Sequence, residues 1–438
     1  MKKLFLFLLF WQVCGSLRLW ATDPDTVGYR HFRIGGYGEM VANFQDYGLN
    51  RYALPSGSSK IAHNTIGIPR FVIAMDYKLS RKWLLGAEIE FEAGGTGMAY
   101  ELEKGSGNEN LEYETEMEKG GEVALEQFHI TRLITPAFNI RAGHIIVPVG
   151  QINQHHEPIH FFTTSRPESQ TTFIPSTWHE TGIEFFGSFG KGLAQFDYQA
   201  MVVAGLNPSG FGLYNWVKGG KQGLFETDNF TSPAYVVRLH YTGLPNLRLG
   251  GSLYFNPKAN KNCDKLVTFD GIGDINVSIF SLDASYASRW ITARANYLYG
   301  NLPHSVEIAA VNKNYTNKSP YSRKSPIAKN VLSYSLEAGI HLNTLLTTIK
   351  HFPHITPFFH YEYCNPQEKG EKGSIMEKRC QVSRWTAGIN WLALPNLVVK
   401  ADYTTRQIGT AHPFKRGKYN SENEFSVGIA YVGWFFKD

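Results

Sequence analysis

The chain has 438 residues, of which 43% are hydrophobic and 14% aromatic, with 42 glycines, 29 phenylalanines and 23 tyrosines. That apolar content excludes an intrinsically disordered polypeptide and suits strands, tight turns and interfacial aromatics. The formal charge of +5 is too small for a nucleic-acid binder, and no stretch approaches the 18 or more consecutive apolar residues of a helical membrane span.

The N-terminus reads Met1-Lys2-Lys3 and then Leu4-Phe5-Leu6-Phe7-Leu8-Leu9-Phe10-Trp11. Two positive charges before a short apolar run are the opening of a secretory signal. Leu19-Trp20-Ala21 places the cut after Ala21, so residues 1–21 are read as signal peptide and 22–438 as one mature domain. A lipoprotein anchored at Cys14 is the rival reading, although Trp11-Gln12-Val13 lacks the Leu and small residues such a site prefers. Loss of Lys2, Lys3 and Arg18 brings the 43 basic residues to 40, against 38 acidic, so any charge selectivity must come from where charges sit.

From there, segments of about ten residues alternate apolar and polar, the period of a strand with two different faces. Residues 85–92 set Leu85, Ala87, Ile89 and Phe91 against Glu88, Glu90 and Glu92. Residues 247–255 set Leu249, Leu253 and Phe255 against Arg248, Ser252 and Tyr254. The same holds for 332–341, with Leu332, Tyr334 and Leu336 opposite Ser333, Ser335 and Glu337, and for 397–406, with Val399 and Tyr403 opposite Lys400, Asp402 and Arg406. About sixteen strands are predicted, near 31–45, 65–79, 82–93, 122–134, 138–146, 178–188, 192–204, 234–242, 246–256, 276–287, 290–299, 330–341, 355–364, 381–392, 396–406 and 423–436. The last ends in Trp434-Phe435-Phe436 and then Lys437-Asp438, which displaces the final aromatic residue usual in such barrels.

The connections separate a membrane barrel from a soluble sandwich. Tight turns are readable at Ser80-Arg81-Lys82, Thr135-Pro136-Ala137, Gly190-Lys191-Gly192, Leu244-Pro245-Asn246, Ser288-Arg289 and Leu394-Pro395-Asn396, with a longer one near 342–353. Between them fall long polar stretches near 46–63, 93–121, 147–177, 205–232, 257–275, 300–328, 365–380 and 407–421. Short and long connections in turn are what an up-and-down barrel gives; Greek-key sandwiches do not. The expected fold is an all-β, antiparallel, transmembrane barrel of about sixteen strands.

Several segments then carry a family likeness. Gly35-Gly36-Tyr37-Gly38-Glu39, Arg70-Phe71-Val72 and Ala87-Glu88-Ile89-Glu90-Phe91-Glu92 come first. They are followed by Arg141-Ala142-Gly143, Val147-Pro148-Val149-Gly150, His156-Glu157-Pro158, Arg166-Pro167 and Ile174-Pro175-Ser176-Thr177-Trp178. This set resembles the phosphate-selective porin O and P family, in the form common in Bacteroidetes. The resemblance implies a sixteen-stranded, homotrimeric outer-membrane porin in contact with lipid and lipopolysaccharide. By analogy with general porins it also implies that residues 147–177 fold inward as a constriction loop. Prolines 148, 158, 167 and 175 favour an ordered loop there, and a loop of this length is usually functional.

Candidate constriction residues in that loop are His155, His156, Glu157, His160 and Arg166. By strand parity Arg141, Arg238, Arg248, Arg294, Arg384, Lys400 and Arg406 face the lumen. A ring of such cations is one way to build an anion pore. The other reading pairs them with the inward acids Glu88, Glu90, Glu92, Asp197, Asp283, Glu337, Glu362 and Asp402. His155, His156 and His160 are weighed as metal ligands and set aside for pore lining or loop hydrogen bonds, so no metal or cofactor is expected. The glutamates between 101 and 122 read as a solvated outer loop, with lipopolysaccharide-bridging cations or latching between subunits as alternatives. Cys364 and Cys380 close a fifteen-residue loop at two strand ends, and a disulfide between them stands beside unbridged thiols as an open alternative. No nucleophile elbow, H-E-x-x-H string or phosphate-binding loop is read in the sequence to mark an enzyme. The functional expectation is passive diffusion of small hydrophilic solutes, anionic or neutral, with a mild anion or phosphate bias; a non-channel barrel serving as scaffold or partner is the alternative.

Overall fold

The computed structural model describes residues 30–47, 61–93, 99–104, 113–118, 122–222, 227–263, 268–314, 324–349, 352–409 and 420–438. The segment read as signal peptide, and half of the glutamate-rich stretch 101–122, lie outside them. In chain order the strands are β1 (Phe32–Tyr47), β2 (Ile61–Ser80), β3 (Trp83–Glu92), β4 (Ala99–Lys104), β5 (Tyr113–Glu118), β6 (Glu122–Thr135), β7 (Phe138–Ile146), β8 (His179–Lys191) and β9 (Ala194–Val203). They continue as β10 (Ala234–Tyr241), β11 (Leu247–Asn256), β12 (Val277–Ala287), β13 (Ile291–Asn301), β14 (Asn330–Ile340), β15 (His354–Lys369), β16 (Val382–Leu394), β17 (Leu397–Ile408) and β18 (Ser421–Lys437). Sixteen of these close an antiparallel barrel in which each strand pairs with its sequence neighbour, and β1 on β18 seals the ring. Every predicted strand is present. The hairpin β4–β5 is an addition that stands outside the ring, in a stretch expected to be loop.

Alternation has the anticipated physical result. Along β14 the odd positions Ser333, Ser335 and Glu337 are buried in the interior, while Tyr334 and Leu336 point out, Leu336 being 57% exposed. Leu253, Phe280, Ile389 and Tyr403 are likewise outward and exposed on other strands. Large apolar side chains are stable in that position when the surrounding solvent is hydrocarbon. Trp83, Phe138, Phe189, Tyr286, Trp290 and Trp391 gather near the short-turn rim, where amphipathic rings meet a bilayer interface. The terminal Asp438 has a local role: its carboxylate accepts from the backbone N–H of His31 and Phe32 at 2.9 and 2.8 Å, tying the last strand to the start of the first.

The interior is not uniformly polar, which departs from strand-parity expectation. Met201 and Val203 of β9, Val236 of β10, Tyr254 of β11, Ile279 of β12 and Leu298 of β13 are buried at the long-loop half of the barrel. They pack on Leu206, Phe211, Trp216, Phe269, Ile275, Ile308 and Ile327 from the connections above. Those loops fold over one side of the barrel and give it a dry core, so inward positions beneath them are apolar. The opposite side, along β1–β3, β6 and β16–β18, keeps its polar lining.

Candidate functional site

Residues 147–178 run inside the ring of strands. The segment leaves β7 with Val147 N–H donating to Trp178 carbonyl oxygen at 2.9 Å, which closes its base. Two single-turn helices, Gln151–Gln154 and Glu168–Thr171, stiffen it. It then binds walls all round the barrel. Arg70 of β2 donates to the His156 carbonyl oxygen at 2.8 Å, and Arg238 of β10 to that of Pro148 at 3.3 Å. Gly150 N–H reaches Ser281 of β12 at 3.3 Å, and Gln151 N–H reaches Asn296 of β13 at the same distance. Phe162 N–H donates to Glu337 of β14 at 3.3 Å, Ser169 N–H to Glu362 of β15 at 2.7 Å, and Thr164 N–H to Asp402 of β17 at 2.6 Å. Buried backbone groups need partners, and here the wall supplies them.

Lys400 is the central anchor. Its buried ammonium donates to the carbonyl oxygens of Pro158, Phe161 and Thr163 at 2.5, 2.9 and 2.9 Å and lies over the Phe161 ring at 4.2 Å. Its expected lumen direction is right, but loop backbone covers its charge.

The other inward cations are paired. Arg141 meets Glu184 at 3.2 Å, Arg238 meets Asp283 at 2.5 Å, Arg248 meets Asp197 at 3.5 Å, and Arg294 meets Glu337 at 2.5 Å. Arg384 meets Glu362 at 3.5 Å, and Arg406 bridges Glu168 and Glu422, both at 2.6 Å. The ion-pair reading of these side chains therefore outweighs a free cationic ring.

Two cavities flank the segment. The one toward the short turns measures about 400 Å³ and is lined by Arg33, Tyr37, Asp76, Glu88, His129, Arg141, His155, Glu157, His160, Asp197, His240, Arg248 and Trp434, among others. The one toward the long loops measures about 360 Å³ and is lined by Asn43, Gln45, Ser165, Arg166, Glu168, Thr171, Arg384, Thr404, Arg406, Glu422, Asn423 and Glu424. Arg141 and Arg248 thus line the first and Arg384 and Arg406 the second, whereas Arg238 is buried beneath the inserted segment and lines neither. His155, Glu157 and His160 face the first cavity, and Arg166 the second. Burial pushes His155 well below the ordinary histidine value, with His160 adding to the shift, so His155 is neutral near pH 7. Burial alone would raise Glu157, but the His160 charge and the Nδ1···Oε2 contact at 2.8 Å overcome this and hold the carboxyl below the usual range. Arg166 donates to Ser176 and Thr177 hydroxyls at 3.2 Å and sits 4.0 Å from Glu92.

Cys364 and Cys380, the two halves of the disulfide alternative, are both buried, and Cys263 is partly buried. Cys364 lies opposite Val382 in the β15–β16 ladder, and β15 continues to Lys369. Cys380 belongs to the short turn Lys378–Cys380, before β16 begins. Both strand ends assumed for the bridge are therefore displaced.

Two features escaped sequence reasoning. One is Glu126, which is fully buried and faces inward beside Glu88. A bulge causes this: Glu88 pairs with Gln127 and Ile89 with Leu125, leaving Glu126 as the extra residue. The signal was present, because the apolar set moves from Val123 and Leu125 to Phe128 and Ile130, a change of parity. The other is His156-Glu157-Pro158-Ile159-His160, which has H-E-x-x-H spacing. A zinc peptidase needs that string on a helix with both histidines on one metal. Here it lies beyond the helix Gln151–Gln154; His160 is engaged by Glu157, and His156 turns to Glu126.

These features define a closed, sixteen-stranded antiparallel barrel of the transmembrane type, with an ordered segment hydrogen-bonded across its interior. No protein-family model matches the chain. An uncharacterized protein of Aquifex aeolicus (strain VF5) is 23% identical over 418 residues, which cover 92% of this chain and 79% of that one. Among solved structures, OmpF of Salmonella typhi in complex with daunomycin shares 12% identity at a TM-score of 0.53, over 91% of this chain and 97% of its own. The outer membrane channel DcaP of Acinetobacter baumannii shares 10% identity at a TM-score of 0.52, over 92% and 97%. These likenesses are of fold.

Proposed function

We propose that the protein is an outer-membrane channel for passive diffusion of small hydrophilic solutes, with a mild anion bias and no catalytic activity. The observation that carries this reading is the pair of charge-lined cavities on opposite faces of the inserted segment, outside the apolar cluster beneath the long loops. The solute route then runs along the polar β1–β3 and β16–β18 walls, narrowed by residues 147–177. The likeness in fold to OmpF and DcaP supports it. So does the apolar outer surface, which suits lipid, with lipopolysaccharide at the long-loop rim. Export by a cleaved signal over 1–21 and assembly as a homotrimer complete the proposal.

The bias is mild because Arg166, Arg384 and Arg406 share the long-loop cavity with Glu168, Glu422 and Glu424. The family likeness in the motifs points to phosphate, but this balanced set argues for general anions. A second reading, a closed barrel acting as scaffold, draws on the apolar cluster that fills the β9–β14 side. Proteoliposome swelling separates the two. The channel reading expects faster swelling with neutral and anionic solutes than with cations of equal size, and Arg166→Glu should reverse the charge order. No swelling above empty liposomes, together with a stable co-purifying protein, would favour the scaffold.

A further inference from the structure

Glu88 of β3, Glu126 of β6 and His156 of the inserted segment each place one oxygen or nitrogen so that the three lie within 4.8 Å of one another. Glu126 is fully buried and, among the described residues, neither of its carboxylate oxygens has a hydrogen-bond partner; His156 is 4% exposed and its Nε2 has none there either. The nearest approach is between these two, Nε2 to Oε1 at 3.2 Å. The other ring nitrogen of His156 lies 3.2 Å from the Asn153 carbonyl oxygen. A carbonyl only accepts, so Nδ1 carries a proton, and in the neutral imidazole Nε2 turns a lone pair toward the carboxylate. Two lone pairs facing each other 3.2 Å apart at buried groups call for a cation, a proton or a metal ion, between them.

A single proton answers that need only in part. Glu88 brings a second carboxylate, oriented by Gln127, which donates to its Oε2 at 2.5 Å. Glu90 adds a third buried acid; Arg70 is shared between Glu90 at 3.6 Å and Glu39 at 3.4 Å, and Arg166 of the inserted segment also attracts Glu90 and Glu126, two cations against four carboxylates. The pocket is short of positive charge.

We propose that Glu88, Glu126 and His156 form a binding site for a divalent first-row transition ion, Zn²⁺ foremost, which fastens the inserted segment to the barrel wall. One imidazole and two carboxylates suit such ions, whereas Ca²⁺ and Mg²⁺ favour oxygen alone. Zinc bonds of about 2.0–2.1 Å put neighbouring tetrahedral ligands roughly 3.3–3.4 Å apart; the observed Nε2–Oε1 separation is 3.2 Å. The bulge that re-aims Glu126 is the kind of irregularity strands use to direct one side chain. Glu88 and His156 also line the short-turn cavity, which supplies an entry path and a water for the fourth position. The inference is independent of whether the barrel conducts.

The test uses folded, tag-free protein in detergent, stripped with EDTA and with its thiols alkylated, dialysed against Zn²⁺ and assayed for bound metal. The expected result is one Zn²⁺ per chain, with affinity lowered at least 100-fold in Glu126→Gln and in His156→Ala. Zinc-edge X-ray absorption of the wild type should show imidazole and carboxylate neighbours at about 2.0–2.1 Å. That second reading decides the matter even if a variant fails to fold. Absence of stoichiometric Zn²⁺ in the folded wild type, binding unchanged in both variants, or a spectrum without imidazole would each overturn the proposal.

Discussion

Replacing Lys400 with Met keeps the length of the side chain but removes its charge and all three donors to the inserted segment. Those donors reach the carbonyl oxygens of Pro158, Phe161 and Thr163 at 2.5–2.9 Å, in a place where the lysine is 2% exposed. Hydrogen bonds to charged groups contribute about 1.5–3 kcal/mol each. The sum is an upper bound, because burying an ammonium costs free energy that the variant no longer meets, and water can reach some freed carbonyls. A net loss of about 3 kcal/mol follows, roughly 100-fold in the ratio of docked to undocked segment. Hydrogen exchange reads this directly, since the Phe162 and Thr164 amides are held by Glu337 and Asp402 on the same stretch. Their protection should fall about 100-fold while amides of β14 and β17 keep theirs. Equal protection at Phe162 and Thr164 in wild type and variant would refute the anchoring role.

Three other outcomes are expected. Leu336→Arg places a guanidinium at the outward middle of β14 and should destabilise the barrel in lipid by about 2–4 kcal/mol in urea titrations; a change near zero would mean that this face does not meet hydrocarbon. His155 is held neutral by burial, so the unfolded chain binds the extra proton, and stability should fall as pH drops below about 6.5. His155→Gln should remove that component, and urea midpoints with the same slope in both proteins between pH 7 and 5 would contradict it. Alkylation of the unfolded, unreduced protein, read by mass spectrometry, decides between the two cysteine readings: unbridged thiols expect Cys364 and Cys380 both labelled, and loss of both labels would mark a disulfide between them.

The fold was legible because membrane barrels declare themselves twice, in the two-residue period of each strand and in the alternation of short and long connections. Both signals are local and survive without knowledge of the interior. The interior was legible only in part. Parity placed Arg141, Arg248, Arg294, Arg384, Lys400 and Arg406 inward, yet could not show that Lys400 ends on backbone carbonyls or that Arg406 spans Glu168 and Glu422, since those contacts join residues more than two hundred positions apart or across a loop. The dry core under Trp216 was hidden for the same reason: whether an inward valine faces water or a folded-in loop is decided by tertiary packing. Glu126 was hidden by one bulged residue, which shifts every later side chain of β6 by one face. The end of β15 was placed five residues short, at Cys364, because the polar run Asn365–Lys369 that extends it carries no apolar alternation.

The most direct test of a route past the inserted segment is single-channel recording in a planar bilayer, with wild type and Lys400→Met side by side. The account predicts discrete steps in the wild type, smaller than those of an unobstructed sixteen-stranded barrel, and larger, noisier steps in the variant. Folded protein that gives no steps in either form would contradict it.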